Sequence, residues 1–262
     1  MPRKSLRVQF PGGAGFPLGG ILDLPVDDAA IEDQTLVASG SFPVAVFSHC
    51  FTCNKDLKAI VRISRALAER GIAVLRYDMT GLGSSQGDFS QTHFTSNLAD
   101  AHAAIQYASE HVGPVTTLIG HSFGGAASLA IAGQASRQDS ATFQPRSVIT
   151  LAAPSDTTHL ATLLARMNPK IESEGSGDVS IGGRTWRIRK EMLADFRSHA
   201  LPDLVAAIAC RVLVFHSPSD ATVGYDHAIR IQSLIQSGRT ESSVSVVAVD
   251  GADHLLSENG DD

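Results

Sequence analysis

A mostly parallel α/β sheet flanked by helices and interrupted by one long insertion is the fold class this sequence predicts. Three observations carry it. Short apolar, β-branched runs alternate with stretches of helical periodicity, the pattern of successive βαβ units. The chain of 262 residues, 43% hydrophobic and 18% charged, is long enough to bury a core without disulfides or metals. One segment, Ser155–Ala209, is far too long for a simple strand-to-strand connection.

Taken in order, Leu6–Phe10 and Gly19–Leu24 are separated by Pro and Gly and read as an antiparallel pair at one sheet edge. Asp27–Phe42 lacks periodicity and reads as a surface loop. Val44–Ser48, Ala73–Tyr77, Val115–Gly120, Ser147–Ala152, Arg211–Ser217 and Val244–Val249 are continuous apolar runs, as strands covered on both faces require. Between them, Leu57, Ile60, Val61, Ser64, Leu67 and Ala68 follow helical spacing, with Gly71 placed to end the helix. Phe94, Leu98, Ala101, Ile105 and Ala108 form a second stripe, and Phe123–Arg137 is Ala-rich enough to pack closely on a sheet. Ile229, Ile231, Leu234 and Ile235 mark another helix.

Within the insertion, Leu160, Leu163, Leu164 and Met167 share a helical face, and Val179–Ile181 with Thr185–Ile188 form a hairpin around Gly182-Gly183. Met192, Leu193 and Phe196 belong to a further short amphipathic piece. The expected organisation is therefore a core of 1–154 and 210–262 and an inserted lid of 155–209.

Charge and composition exclude several classes of function. Lys plus Arg number 21 against 27 Asp plus Glu, a net charge of −6, which offers no footprint for nucleic acid. Arg184, Arg187, Arg189 and Lys190 surround Trp186, but strand alternation turns Arg187 and Arg189 away from Trp186 and onto a solvated face. The longest apolar run, Leu204–Cys210, cannot span a bilayer. The N-terminal residues show no apolar leader, and 3 Cys make no disulfide framework, so a cytoplasmic location is expected.

Chemistry enters at Gly120-His121-Ser122-Phe123-Gly124, which follows a strand and opens a helix. That context is what a nucleophile elbow needs: a turn tight enough to demand glycines, with the Ser hydroxyl lifted above the strand end. A second match, Gly83-Ser84-Ser85-Gln86-Gly87, follows polar sequence and begins no helix, so Ser85 reads as a loop residue. A serine needs a base, and the base needs an orienting acid. In the α/β-hydrolase plan they follow in the order Ser, acid, His, each after a strand. Asp220, in the loop after Arg211–Ser217, and His254, after Val244–Val249, satisfy that order. Asp226 reads better as a helix cap, and Asp253 is too close to His254 to orient it.

Phe47–Thr52 ends the strand expected beside the nucleophile strand. In hydrolases of this fold the third residue of a His-Gly-X sequence here supplies one oxyanion N–H. The corresponding donor is Phe51, paired with Phe123, while Cys50 stands where Gly is usual. Cys50-Phe51-Thr52-Cys53 is also a C-x-x-C between a strand and a helix, a position suited to thiol–disulfide chemistry. Such a redox protein is the competing reading, and a non-catalytic binding module on the same scaffold is a third. Cys50, His121, Trp186 and Met192 are the candidate substrate contacts.

Several motifs together resemble a known family. They are His49–Cys53 with Lys55–Ala59, Thr80–Gly83, Gly87–Phe89, Gly120–Ser122, Ile181–Arg184, His216–Pro218, Thr222–Gly224 and Asp250–Ser257. The chain is similar over nearly its whole length to the hydrolase half of bacterial α/β-hydrolase/OsmC fusion proteins, and more loosely to cinnamoyl and feruloyl esterases. The resemblance implies an α/β-hydrolase fold with a lid and a triad of Ser122, Asp220 and His254. It also implies Phe51 and Phe123 as oxyanion donors and a small carboxylic ester as substrate. No cofactor or metal is implied. The sequence stops at Glu258–Asp262, where the family has a closing helix and an OsmC domain. A truncated fusion protein, or a homodimer covering the sheet face, is the corresponding expectation.

Overall fold

Alternation of apolar side chains on the strands divides the interior into two unequal layers on either side of a twisted sheet. The computed structural model describes residues 2–26, 42–138, 143–238 and 243–256. Most of Asp27–Phe42 and all of Glu258–Asp262, for which a loop and a missing helix were expected, lie outside the described residues.

The sheet begins with β1 (Arg3–Pro11) and β2 (Pro17–Pro25), paired antiparallel, and β2 is antiparallel to β4 (Ala73–Tyr77). From there on the pairing is parallel, through β3 (Val44–Ser48), β5 (Val115–His121), β6 (Ser147–Leu151), β9 (Arg211–His216) and β10 (Val244–Ala248). The spatial order is β1-β2-β4-β3-β5-β6-β9-β10. After β3 the chain steps outward to β4 and then returns to the other side as β5. The order thus reverses between β3 and β5, and a crevice opens at their carboxyl ends.

Helix α1 (Lys58–Ala68) covers one face, where Ala45, Phe47, Val74, Ile119 and Ile60 are buried together. Gly71, at φ +87°, ends the α1 segment as its position in the sequence predicts. The other face carries α2 (Phe94–His111), α3 (Phe123–Arg137) and α8 (Asp226–Gly238) over a much larger cluster that includes Val46, Leu118, Leu129, Val148 and Ile231. α3 is buried along almost its entire length, which explains its small residues.

Between β6 and β9 the chain leaves the sheet for α4 (Thr158–Met167), α5 (Lys170–Ser173), the hairpin β7 (Ser176–Ile181)–β8 (Arg184–Arg189), α6 (Lys190–Ser198) and α7 (Leu201–Ala207). α7 packs on α3 and α8, alongside the sheet rather than over its carboxyl edge. The hairpin is longer than the alternation suggested, and its register puts Val179 opposite Trp186. Among the described residues no helix is long and apolar enough to cross a membrane.

Candidate active site

Three strand ends and one neighbouring loop build the site. β5 delivers Ser122 at φ +51°, ψ −115°, a positive-φ conformation that costs a non-glycine residue about 1–3 kcal/mol. Hydrogen bonds hold it there: the Ser122 N–H donates to the Leu151 carbonyl at 2.8 Å, and the Ser122 carbonyl accepts from the Gly125 N–H at 2.9 Å. The two glycines of the elbow are obligatory on space alone. A Cβ on Gly120 would strike the Gly124 backbone, and one on Gly124 would strike the Ser48 carbonyl of β3. The turn thereby brings the start of α3 hard against the end of β3.

Asp220 lies in the turn after β9. Its Oδ1 accepts from the Thr222 and Val223 N–H groups at 2.8 and 2.9 Å, leaving Oδ2 aimed at His254 Nδ1, 2.8 Å away. Burial alone pushes this carboxyl up, but the bonds from His254 and the two backbone N–H groups outweigh it and hold the group below the usual carboxylate range. His254, after β10, sits with Nε2 2.9 Å from Ser122 Oγ. Since the ionised carboxylate can only accept, Nδ1 carries the proton and Nε2 is left to accept from the serine hydroxyl.

His121 supports this arrangement from beneath. Its Nε2 lies 2.7 Å from the His254 carbonyl, an acceptor only, so the proton sits on Nε2. Burial first, and then the nearby His254, depress His121 to about 4. It is a neutral donor at neutral pH, not a base. The sequence-level expectation of a substrate contact at His121 is corrected accordingly: it is buried and does not line the pocket. Met192 is corrected in the same way. It points into the packing of the insertion, with Leu193 and Phe196, because the buried face of α6 faces inward.

The loop after β3 faces the elbow. His49 is buried, with Nε2 accepting from the Met79 N–H at 3.1 Å and Nδ1 donating to the Cys50 carbonyl at 2.8 Å. On its far side, Asp78 receives the Lys55 N–H at 2.7 Å and the Lys55 ammonium at 2.9 Å. Between these anchors, Phe51 and Phe123 touch ring to ring, with centroids 5.6 Å apart. Among the described residues, neither backbone N–H meets a backbone acceptor. Cys50 and Cys53 are joined by a disulfide, with Cα atoms 5.3 Å apart. The cysteine count predicted no framework, and a single local bridge is what such proximity in the chain permits.

A cavity of about 490 Å³ opens above these groups. Ser122, His254, Phe51, Phe123 and the disulfide line one side. The other side is apolar, from Leu160, Leu163, Leu164 and Met167 of α4 and Trp186 of β8. Leu255 lies at its edge, and Arg184 is the only permanently charged lining residue among those described. Cys50 and Trp186 both line this cavity. The α4 stripe was visible as a pattern, but which way it faced was not. Ser85, the second elbow match, is a structural pin whose hydroxyl donates to the Asp78 carbonyl at 2.6 Å and accepts from the Gly19 N–H at 2.9 Å.

The fold agrees with comparisons to known proteins. The esterase domain of a Rhodothermus marinus protein superposes with a TM-score of 0.67 at 38% identity, covering 98% of this chain and 91% of that one. Est1E from Butyrivibrio proteoclasticus, solved with ferulic acid bound, shares the fold at TM-score 0.77 and 21% identity, over 96% of this chain and 93% of that one. Alpha/beta hydrolase domain-containing protein 10 from mouse shares it at TM-score 0.70 and 17% identity, over 97% and 92%. No curated protein sequence matches. A family profile described as "Alpha/beta hydrolase family" matches residues 36–262, and the chain belongs to that family.

Proposed function

We propose that the protein is a serine carboxylesterase acting on small esters with a short acyl or aryl part. The observation that carries this reading is the aligned chain Ser122–His254–Asp220, at 2.9 and 2.8 Å, beneath an apolar cavity of about 490 Å³. His254 Nε2 takes the proton of Ser122 as Oγ attacks the ester carbonyl, and the ionised Asp220 stabilises the imidazolium that forms. The N–H groups of Phe51 and Phe123 receive the developing oxyanion, a contribution of about 3–4 kcal/mol per donor in such sites. His254 returns its proton to the leaving alcohol, then activates water to release the acid from the acyl-enzyme. The insertion serves as a lid whose α4 and Trp186 surface accepts the apolar part of the ester. The esterase neighbour at 38% identity supports the same reaction class, and the ferulic acid held by Est1E is consistent with an aryl acid of this size.

The test is hydrolysis of p-nitrophenyl butyrate together with labelling by a fluorophosphonate. Ser122→Ala is expected to lower kcat by ~10⁴-fold or more and to abolish labelling. Full activity in that variant would overturn the assignment. An unlabelled, inactive wild-type protein would favour the binding-module reading.

A further inference from the structure

The ester mechanism gives no task to the disulfide that faces the cavity. Cys50 and Cys53 bracket Phe51, the residue proposed to donate an oxyanion hydrogen bond. We infer that this disulfide is a redox site governing the catalytic pocket: a low-molecular-weight thiol opens it through Cys53, and the opened loop no longer presents the Phe51 N–H. The inference rests on the reading of Ser122 as nucleophile.

Four observations support it. First, the two cysteines differ in exposure: both line a cavity large enough for a small thiol, but Cys50 is only 3% exposed whereas Cys53 is half-buried. Second, the bridged turn holds an unfavourable backbone. Thr52, a β-branched residue, sits at φ +61° inside the ring, which is closed further by the Cys53 N–H donating to the Cys50 carbonyl at 3.2 Å. Without the bridge Thr52 is free to return to negative φ, and the turn of residues 50–53 that positions Phe51 loses its shape.

Third, both flanks are anchored independently of the bridge, by His49 to Met79 on one side and by Lys55 to Asp78 on the other. The change is therefore confined to residues 50–53, and the fold survives it. Fourth, a bridge across so short a loop removes little freedom from the unfolded chain, so its main consequence is local rather than global stability.

The exchange balances without any further component. The thiolate of one thiol molecule attacks Cys53 Sγ, the Sγ–Sγ bond breaks, and Cys50 leaves as a thiolate that takes up a proton. A second thiol molecule displaces Cys53 from the mixed disulfide. The net result is two protein thiols and one oxidised thiol dimer. Cys210 takes no part: it lies outside the cavity, and burial pushes its thiol up to about 11.

The experiment compares the oxidised wild-type protein with the same protein treated under native conditions with reduced glutathione or dithiothreitol. Thiol titration is expected to gain two groups. The kcat for p-nitrophenyl butyrate should fall ~10-fold or more, with a smaller change in KM, an almost unchanged melting temperature and full recovery on reoxidation. Cys53→Ser should show the low kcat and ignore reductant, while Cys210→Ser should respond like wild type. The reversible wild-type comparison stands even if Cys53→Ser folds poorly. An unchanged kcat after two thiols are freed overturns the inference, and so does a native protein whose thiol count does not rise. If the oxidised protein neither hydrolyses the ester nor labels at Ser122, the esterase reading fails and the gate falls with it.

Discussion

The two walls of the cavity are built on opposite plans. On the sheet side, Ser122, Asp220 and His49 are buried and each held by two or more polar contacts, and His121 is buried with its Nε2 on the His254 carbonyl. On the insertion side, Leu163 and Met167 are 38% and 44% exposed and meet the cavity through apolar contact alone. Preorganised dipoles must be in place before charge develops, so the reacting groups belong on elements that cannot move. Apolar contact is non-directional and tolerates adjustment, which suits a surface that sorts substrates by size. A substitution on the sheet side should therefore act on kcat or on folding, and one on the insertion side on KM.

The sharpest way to break that contrast is Asp220→Asn. The amide keeps the shape but cannot hold the His254 proton on Nδ1, and kcat for p-nitrophenyl butyrate should fall by ~10³–10⁴-fold with KM little altered. A loss of less than tenfold would mean that Asp220 is not the orienting acid.

The next largest effect is on stability and comes from His121. The folded protein holds this group neutral down to about 4, whereas the unfolded chain protonates it near the ordinary value of 6.5. Between those values the unfolded state binds the extra proton, so stability is complete above pH 6.5 and declines as pH falls toward 4. The decline attributable to this one group is up to about 3 kcal/mol. Urea unfolding across that range should show a shallower slope for His121→Gln, whose amide N–H can still reach the His254 carbonyl. Identical slopes would assign the acid sensitivity elsewhere.

The smallest effect belongs to the insertion. Leu163→Ala should raise KM for the longer acyl chains by less than ~10-fold and leave kcat unchanged. A fall in kcat with unchanged KM would show that this wall helps to position the reacting groups, and would erase the contrast.

The same contrast governs what could be read from the chain alone. Ser122, Asp220 and His254 were legible because each is tied to a strand end, and strands announce themselves by their apolar runs. The elbow was legible because Gly120 has a local steric cause in the turn itself, although the close approach that fixes Gly124 is to the remote Ser48 carbonyl. His121 and Met192 were misplaced because adjacency in sequence and helical spacing say nothing about which side of a turn or helix faces the ligand. His121 passes beneath the site to the His254 carbonyl, and Met192 closes the packing of α6. α7 went unrecognised because its 7 residues give too few turns for a periodic signal. Pro202, in its first turn, marks only where such a helix can begin.

By itself, then, the sequence determined the order of elements, the parallel sheet and the identity and chain order of the three polar residues, all of which follow from local periodicity and turn chemistry. Only the tertiary structure decided that these residues, 132 and 34 positions apart, meet within hydrogen-bond distance. It also decided that α4 turns its apolar face onto them. Those outcomes depend on the reversal of strand order between β3 and β5, and on packing between segments remote in the chain, where no local signal exists to be read.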